Sequence, residues 1–118
     1  MSKHKSPVQS SIEMLEAEGL TVDICERRIT SRIKKDLFGF ADLIAFNHNQ
    51  TVLVQVTTAS NLAARVKKIL ASRRARRWVD SPERYVEVHG WREYKSPDES
   101  GRTWRPIVRE IHPHSFKE

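Results

Sequence analysis

DLFGFADLIAFNHNQTVLVQVTTASNLAARVKKI, residues 36–69, is the stretch that decides how this chain folds. It opens with two runs, GFADLIAF and TVLVQVT, parted by Asn47, His48, Asn49 and Gln50, which is turn composition. Val52, Leu53, Val54 and Val56 are apolar in near-continuous succession, as in a strand covered on both faces. In SNLAARVKKILASRRARRW, residues Leu62, Val66, Ile69 and Leu70 then recur at helical spacing, with Ser60 as the expected N-cap. The register of the hairpin can be set from its turn. Whether Asn47 pairs with Gln50 or Phe46 with Thr51, Asp42 falls opposite Gln55, and facing Cβ atoms sit about 4.5–5.5 Å apart. Thr57, two residues on, shares their face.

Outward from this hairpin, residues 1–10 read as a mobile tail and residues 11–118 as one domain. SSIEMLEAEG predicts a helix capped by Ser10 or Ser11 and closed by Gly19, with Ile12, Leu15 and Met14 toward the core. LTVDICERRI predicts a strand in which Val22 and Ile24 alternate with Asp23, and TSRIKKDLFG a loop. Ser81-Pro82 breaks the second helix. RYVEVHGW and TWRPIVREI predict two more strands, Pro106 placing the last at an edge, with KSPDESG as a surface loop between them. The order is α-β-β-β-α-β plus a C-terminal strand, an α/β fold with a mixed sheet and helices packed on it.

The 118 residues, 38% hydrophobic and 31% charged, suit a small globular domain with a wet surface. No apolar run approaches the roughly 20 residues that cross a bilayer, the start lacks the apolar stretch of a signal peptide, and a single cysteine, Cys25, fits a reducing cytoplasm. The net charge of +6 is concentrated. Residues 61–80 carry Arg65, Lys67, Lys68, Arg73, Arg74, Arg76 and Arg77 against one acid, Asp80, and the rest of the chain balances. Such a concentration attracts phosphate backbones, although a solvated helix face has the same composition. Arg73, Arg74, Arg76 and Arg77 suit phosphate contact better than base reading, so recognition of nucleic acid shape is the expected mode.

Asp42, Gln55 and Thr57 bring a carboxylate, an amide oxygen and a hydroxyl to one place, and the carbonyl of Val56 could add a fourth oxygen. Hard divalent cations such as Mg²⁺ are held by oxygens of this kind. The alternative is a hydrogen-bonded polar pair inside the sheet. On the following helix, Asn61, Arg65, Lys68 and Ser72 form a stripe at i, i+4, i+7 and i+11 whose N-terminal half could overhang such a cation.

DLFGFADLIAF followed by TVLVQVTTASNLAARVKKI resembles small phage and bacterial proteins of the PD-(D/E)XK nuclease superfamily, and in general outline archaeal-type Holliday junction resolvases. The likeness covers residues 10–90 in element order and 36–69 in motif. It implies a restriction-endonuclease-like αβββαβ core and a DNA endonuclease that uses Mg²⁺ or Mn²⁺ and no small-molecule cofactor. The substrate would be chosen by structure rather than sequence, branched DNA included. It also implies a homodimer and the cytoplasm of a bacterial or phage-infected cell. Asp42 matches the motif aspartate and Gln55 the Glu/Gln position. Glu13 or Glu16 matches the acid that the first helix contributes to the metal. Thr57 stands where the family has lysine. In some branches that lysine has moved to the following helix, which makes Lys68, then Lys67, its replacement. The rival reading is a catalytically silent nucleic-acid-binding module of the same fold, and RNA is a third possibility.

The histidines show no ligand spacing, His112 and His114 reading as part of a solvated tail. Cys25 reads as a small core residue. Trp78, Trp91 and Trp104 read as packing residues, with stacking on a splayed base as the alternative.

Overall fold

The computed structural model describes residues 5–95 and 101–116. Helix α1 (Pro7–Ala17) leads to β1 (Thr21–Ile24), a small hairpin β2 (Arg27–Arg28) and β3 (Lys34–Lys35), then β4 (Leu43–Asn47) and β5 (Gln50–Thr58). A 3₁₀ turn precedes α2 (Leu62–Leu70), followed by α3 (Arg73–Trp78), β6 (Arg84–Lys95) and β7 (Arg102–Ile111). Five strands form one mixed sheet in the order β1-β4-β5-β6-β7. Only β5 and β6 are parallel, because α2 and α3 carry the chain back over the sheet between them. The fold is therefore mixed α/β with helices on both faces. The expected loop KSPDESG falls largely on residues 96–100, outside the described residues.

The central hairpin has the register its turn composition dictates. Pairs run from Leu43↔Val54 to Asn47↔Gln50, and the Asn47 side chain closes the turn by accepting from the amides of Asn49 and Gln50 at 3.0 and 3.1 Å. The alternation along β5 sorts two cores. Val52 and Val54 join Leu43, Ala45, Leu15 and Leu20 beneath α1. Leu53 faces the other way, into Leu62, Ile69, Ala75, Val79, Val86 and Val88 beneath α2 and α3. Gly90 lets the second layer close: a Cβ there would meet Leu62 Cβ at 3.1 Å and Ala59 Cα at 3.2 Å, so the start of α2 rests on β6 backbone.

Four expectations need correction. Helix α1 begins earlier than a cap at Ser10 or Ser11 implies, because Ser6 is the cap, its Oγ accepting from the Gln9 amide at 3.1 Å, and Pro7 takes the first turn. Residues 7–10, expected in a mobile tail, are thus helical, and both serines lie within α1, on its buried face. The long second helix is two. Ser72 accepts from the Ala75 amide at 3.2 Å and caps α3, while Ser60 sits in the 3₁₀ turn and caps nothing. In β1, Val22 is half-buried under α1 but Ile24 lies beyond its cover and is exposed. TSRIKKDLFG is not all loop: Arg27 pairs with Lys35 and Arg28 with Lys34. No helix among the described residues is long and apolar enough to cross a membrane.

Candidate metal centre

The β2–β3 hairpin determines what stands around Asp42. One position beyond the Arg27↔Lys35 pair, Glu26 and Asp36 face each other at the hairpin's base. From Asp36 the chain makes a tight turn, closed by reciprocal bonds between Leu37 and Ala41 at 3.0 and 2.9 Å, and delivers Asp42 to the mouth of β4. The Cys25 amide donates to the Asp42 carbonyl at 2.9 Å and ties the end of β1 to the same point. Carboxylate oxygens of Glu26, Asp36 and Asp42 all come within 4.8 Å of one another.

Asp42 and Gln55 meet, but not as a plain ladder pair. The ladder stops at Leu43, and the Asp42 amide slips to the Val54 carbonyl at 2.8 Å. Its Oδ2 then accepts from the Val56 amide at 2.7 Å and from Gln55 Nε2 at 3.2 Å. Val56 thus offers Asp42 its N–H. Asp42 and Gln55 are only 8% and 3% exposed, and Thr57 is buried beside them on the same face. Burial first of all, and then the charge of Asp36, push the Asp42 carboxyl up to about 6, against the pull of the Val56 N–H.

The Gln55 side chain carries the observation that separates a ligand site from a satisfied polar pair. Its Nε2 is bonded, yet its Oε1 is fully buried with no hydrogen-bond partner. An orphaned buried amide oxygen costs about 1–3 kcal/mol, and three carboxylates converging nearby add repulsion. A divalent cation among the three carboxylates would relieve that repulsion. Glu26, Asp36 and Asp42 could hold a metal ion, and their hard oxygens suit a soft metal poorly. Glu26 also lies 3.6 Å from Lys34.

Comparison of the chain with family models, with curated proteins and with solved structures returned no match. The geometry stands alone.

The other predicted site residues divide. Glu13 is exposed on α1, bonded to Lys5 at 2.7 Å and Gln9 at 3.2 Å, and Glu16 is exposed on the same helix. α1 covers the Val52–Val54 face, whereas Asp42 and Gln55 share the opposite face with Leu53. The acids beside Asp42 are therefore Glu26 and Asp36. Lys67 lines a groove with Leu70, Ile107 and Arg109 on the β7 side of α2. One residue advances an α-helix by about 100°, so Arg65 and Lys68 lie on the other flank of α2, away from β7. Asn61 is used locally, donating to Thr58 Oγ1 at 3.2 Å. Arg73, Arg74, Arg76 and Arg77 are exposed on α3.

A second polar chain lies on the α1 face. Ser11 Oγ, His89 and Glu87 are linked at 2.8 Å each, the order of a hydrolase triad. Ser11 and His89 are both 0% exposed, so no substrate reaches them and the chain is structural. Cys25 is no nucleophile either. Burial first, then the charges of Asp42, Asp36 and Asp23, push its thiol up to about 11.

Proposed function

We propose that the chain is a divalent-metal-dependent DNA endonuclease of PD-(D/E)XK type, directed by nucleic acid structure rather than sequence. The observation that carries this reading is the convergence of the Glu26, Asp36 and Asp42 carboxylates, joined by Gln55, whose Nε2 donates to Asp42 while its Oε1 is left without a partner. Glu26 and Asp36 replace the helix acid of the family pattern. The basic surface of α2 and α3 supports nucleic acid as the substrate, and the β2–β3 hairpin adds further cations. Arg27, Arg28, Arg32, Lys34 and Lys35 project from the base at which Glu26 and Asp36 stand.

Mg²⁺ or Mn²⁺ held by these oxygens supplies Lewis acidity at the scissile phosphate. Around it, the chain's own groups position the reactants. Arg65 holds a neighbouring phosphate, and Lys68, on the flank of α2 away from β7, orients the attacking water in place of the lysine that Thr57 displaces. Lys67 faces away and takes no part. Two copies would cut both strands of a branched substrate.

The test is incubation with labelled linear, nicked, flapped and four-way-junction DNA in Mg²⁺ or Mn²⁺, beside Asp42→Ala. Metal-dependent cutting by the wild type and none by the variant is expected, with binding nearly unchanged. Tight binding without cutting in either metal would establish the silent module, in which Thr57 marks lost catalysis. The absence of both cutting and binding would overturn the reading. Within the same assay, Lys68→Ala is expected to slow cutting about a hundredfold and Lys67→Ala less than threefold, and equal rates for the two would remove the assigned role of Lys68.

A further inference from the structure

On the same side of the sheet as Asp42 and Gln55 lies an open cavity of about 490 Å³, lined by Phe38, Arg74, Arg77, Trp78 and Arg84. That volume is within the range of ligand sites. Two of its walls are aromatic and set at an angle, the rings of Phe38 and Trp78 being 6.2 Å apart and tilted by 44°. The indole is fixed in orientation because Trp78 Nε1 donates to the Tyr85 carbonyl at 2.9 Å. The Arg84 guanidinium lies over the Trp78 ring at 5.0 Å, and Arg74 and Arg77, one turn apart on α3, bring two more cations to the rim. No carboxylate among the described residues pairs with Arg74, Arg77 or Arg84.

Phe38 is the least expected member. It is 39% exposed and holds a left-handed φ of 56°, which is uncommon for a bulky side chain. The turn that imposes it, from the Asp36 carbonyl to the Gly39 amide at 3.0 Å, is the turn that delivers Asp36 and Asp42 to the carboxylate cluster. An aromatic ring is thus displayed to solvent two residues from a proposed metal ligand, at a backbone cost that packing alone does not require.

Flat apolar walls ringed by three cations match a ligand with a π-face and negative charge at its edge, which is a nucleotide. We propose that this cavity is a subsite for an unpaired nucleobase, the base against Trp78 and Phe38 and its phosphates on Arg74, Arg77 and Arg84. A base inside an intact duplex is stacked on its neighbours and cannot reach the walls. The subsite therefore selects single-stranded, flapped or gapped DNA over continuous duplex. This inference rests on the endonuclease reading, since it places the bound nucleotide beside the same cluster.

Fluorescence anisotropy of labelled single strands, 3′ and 5′ flaps and blunt duplex, with EDTA present to prevent cutting, tests it. The proteins are the wild type, Phe38→Gly, Trp78→Ala and Trp78→Phe. Phe38→Gly removes the ring where glycine suits the backbone, so its folding is not in question, and thermal melts check the other two. The wild type is expected to prefer single-stranded or flapped DNA at least fivefold over duplex. Phe38→Gly and Trp78→Ala should each lose about tenfold on the unpaired substrates and less than twofold on duplex, and Trp78→Phe should recover most of that loss. Equal losses on paired and unpaired DNA, or none, would overturn the subsite while leaving the nuclease reading intact, provided that metal-dependent cutting is seen. Failure of the wild type to bind any DNA at low salt would bring down both. Binding of single-stranded RNA more than tenfold tighter than DNA of the same sequence would overturn the assignment to DNA.

Discussion

Asp42→Asn is expected to cut DNA about a hundredfold or more slowly than the wild type and, in EDTA at neutral pH, to be the more stable protein. Both effects have one cause. The Asp42 carboxyl is held at about 6 in the fold, chiefly by burial and then by the Asp36 charge, whereas in the unfolded chain it titrates near the ordinary value of about 3.8. Between those pH values the folded protein holds the proton that the unfolded chain has released. Stability therefore falls as pH rises through this window, and by about pH 7 the whole cost is present, at most on the order of 3 kcal/mol before solvent screening reduces it. Asparagine keeps the shape and can still accept from the Val56 amide but carries no charge to desolvate. The difference in unfolding free energy between variant and wild type should thus be small at pH 4 and grow to its full size by pH 7. Mg²⁺ or Mn²⁺ should close the gap by stabilising the wild type alone, because a ligand that binds only the folded state adds to its stability. Urea unfolding at pH 4, 5.5 and 7, with and without the ion, measures all three quantities. A variant no more stable at pH 7, or one that responds to the ion as the wild type does, would show that Asp42 is neither strained nor a ligand.

That a buried carboxylate should be costly to fold is also why the site could be partly read from sequence. An acid embedded in FGFADLIAF and an amide in VLVQVT break two apolar runs, and the turn between the runs fixes which residues face each other. Hairpin register is a local property, so the Asp42–Gln55 contact follows from counting. Glu26 was out of reach by that method, and Asp36, a possible contributor from its residue type, lay in a loop whose course counting could not place. They come together through the β2–β3 hairpin, whose two residue pairs in the stretch RRITSRIKK give too little alternation to set a register. The break between α2 and α3 left a clearer trace. Leu62, Val66 and Ile69 predict the next apolar residue at 72, 73 or 76, yet those positions are serine and arginines, and the apolar residues come at Ala75 and Val79. The stripe changes phase where Ser72 caps a new helix. Phe38 gave no signal of its role, because its exposure follows from a backbone turn rather than from any pattern of side chains.

Ser11→Ala should be among the most destabilising single substitutions on the α1 face, costing about 2–4 kcal/mol for the loss of one oxygen atom. One direction in this buried chain is fixed by chemistry. An indole N–H can only donate, so Trp91 Nε1 gives its proton to Ser11 Oγ at 2.8 Å. Ser11 Oγ also shares a hydrogen bond with His89 Nδ1 at 2.8 Å, and His89 Nε2 one with Glu87 at 2.8 Å. Trp91, Ser11, His89 and Glu87 thus form one chain, and Ser11 and His89 are fully closed off from solvent. Removing the hydroxyl orphans an indole donor and an imidazole nitrogen together. Ser10→Ala, which deletes only the acceptor for Trp104 Nε1 at a part-buried position, should cost about 1 kcal/mol. Because α1 packs on the face opposite Asp42, folded Ser11→Ala at low temperature should cut DNA at close to the wild-type rate, as should Glu13→Gln and Glu16→Gln. Urea midpoints rank the two serine variants, and cleavage rates of the folded proteins separate stability from catalysis. Equal midpoints for Ser11→Ala and Ser10→Ala would show that the buried chain carries no special weight, and a loss of cutting in either glutamate variant would return the helix acid to the metal.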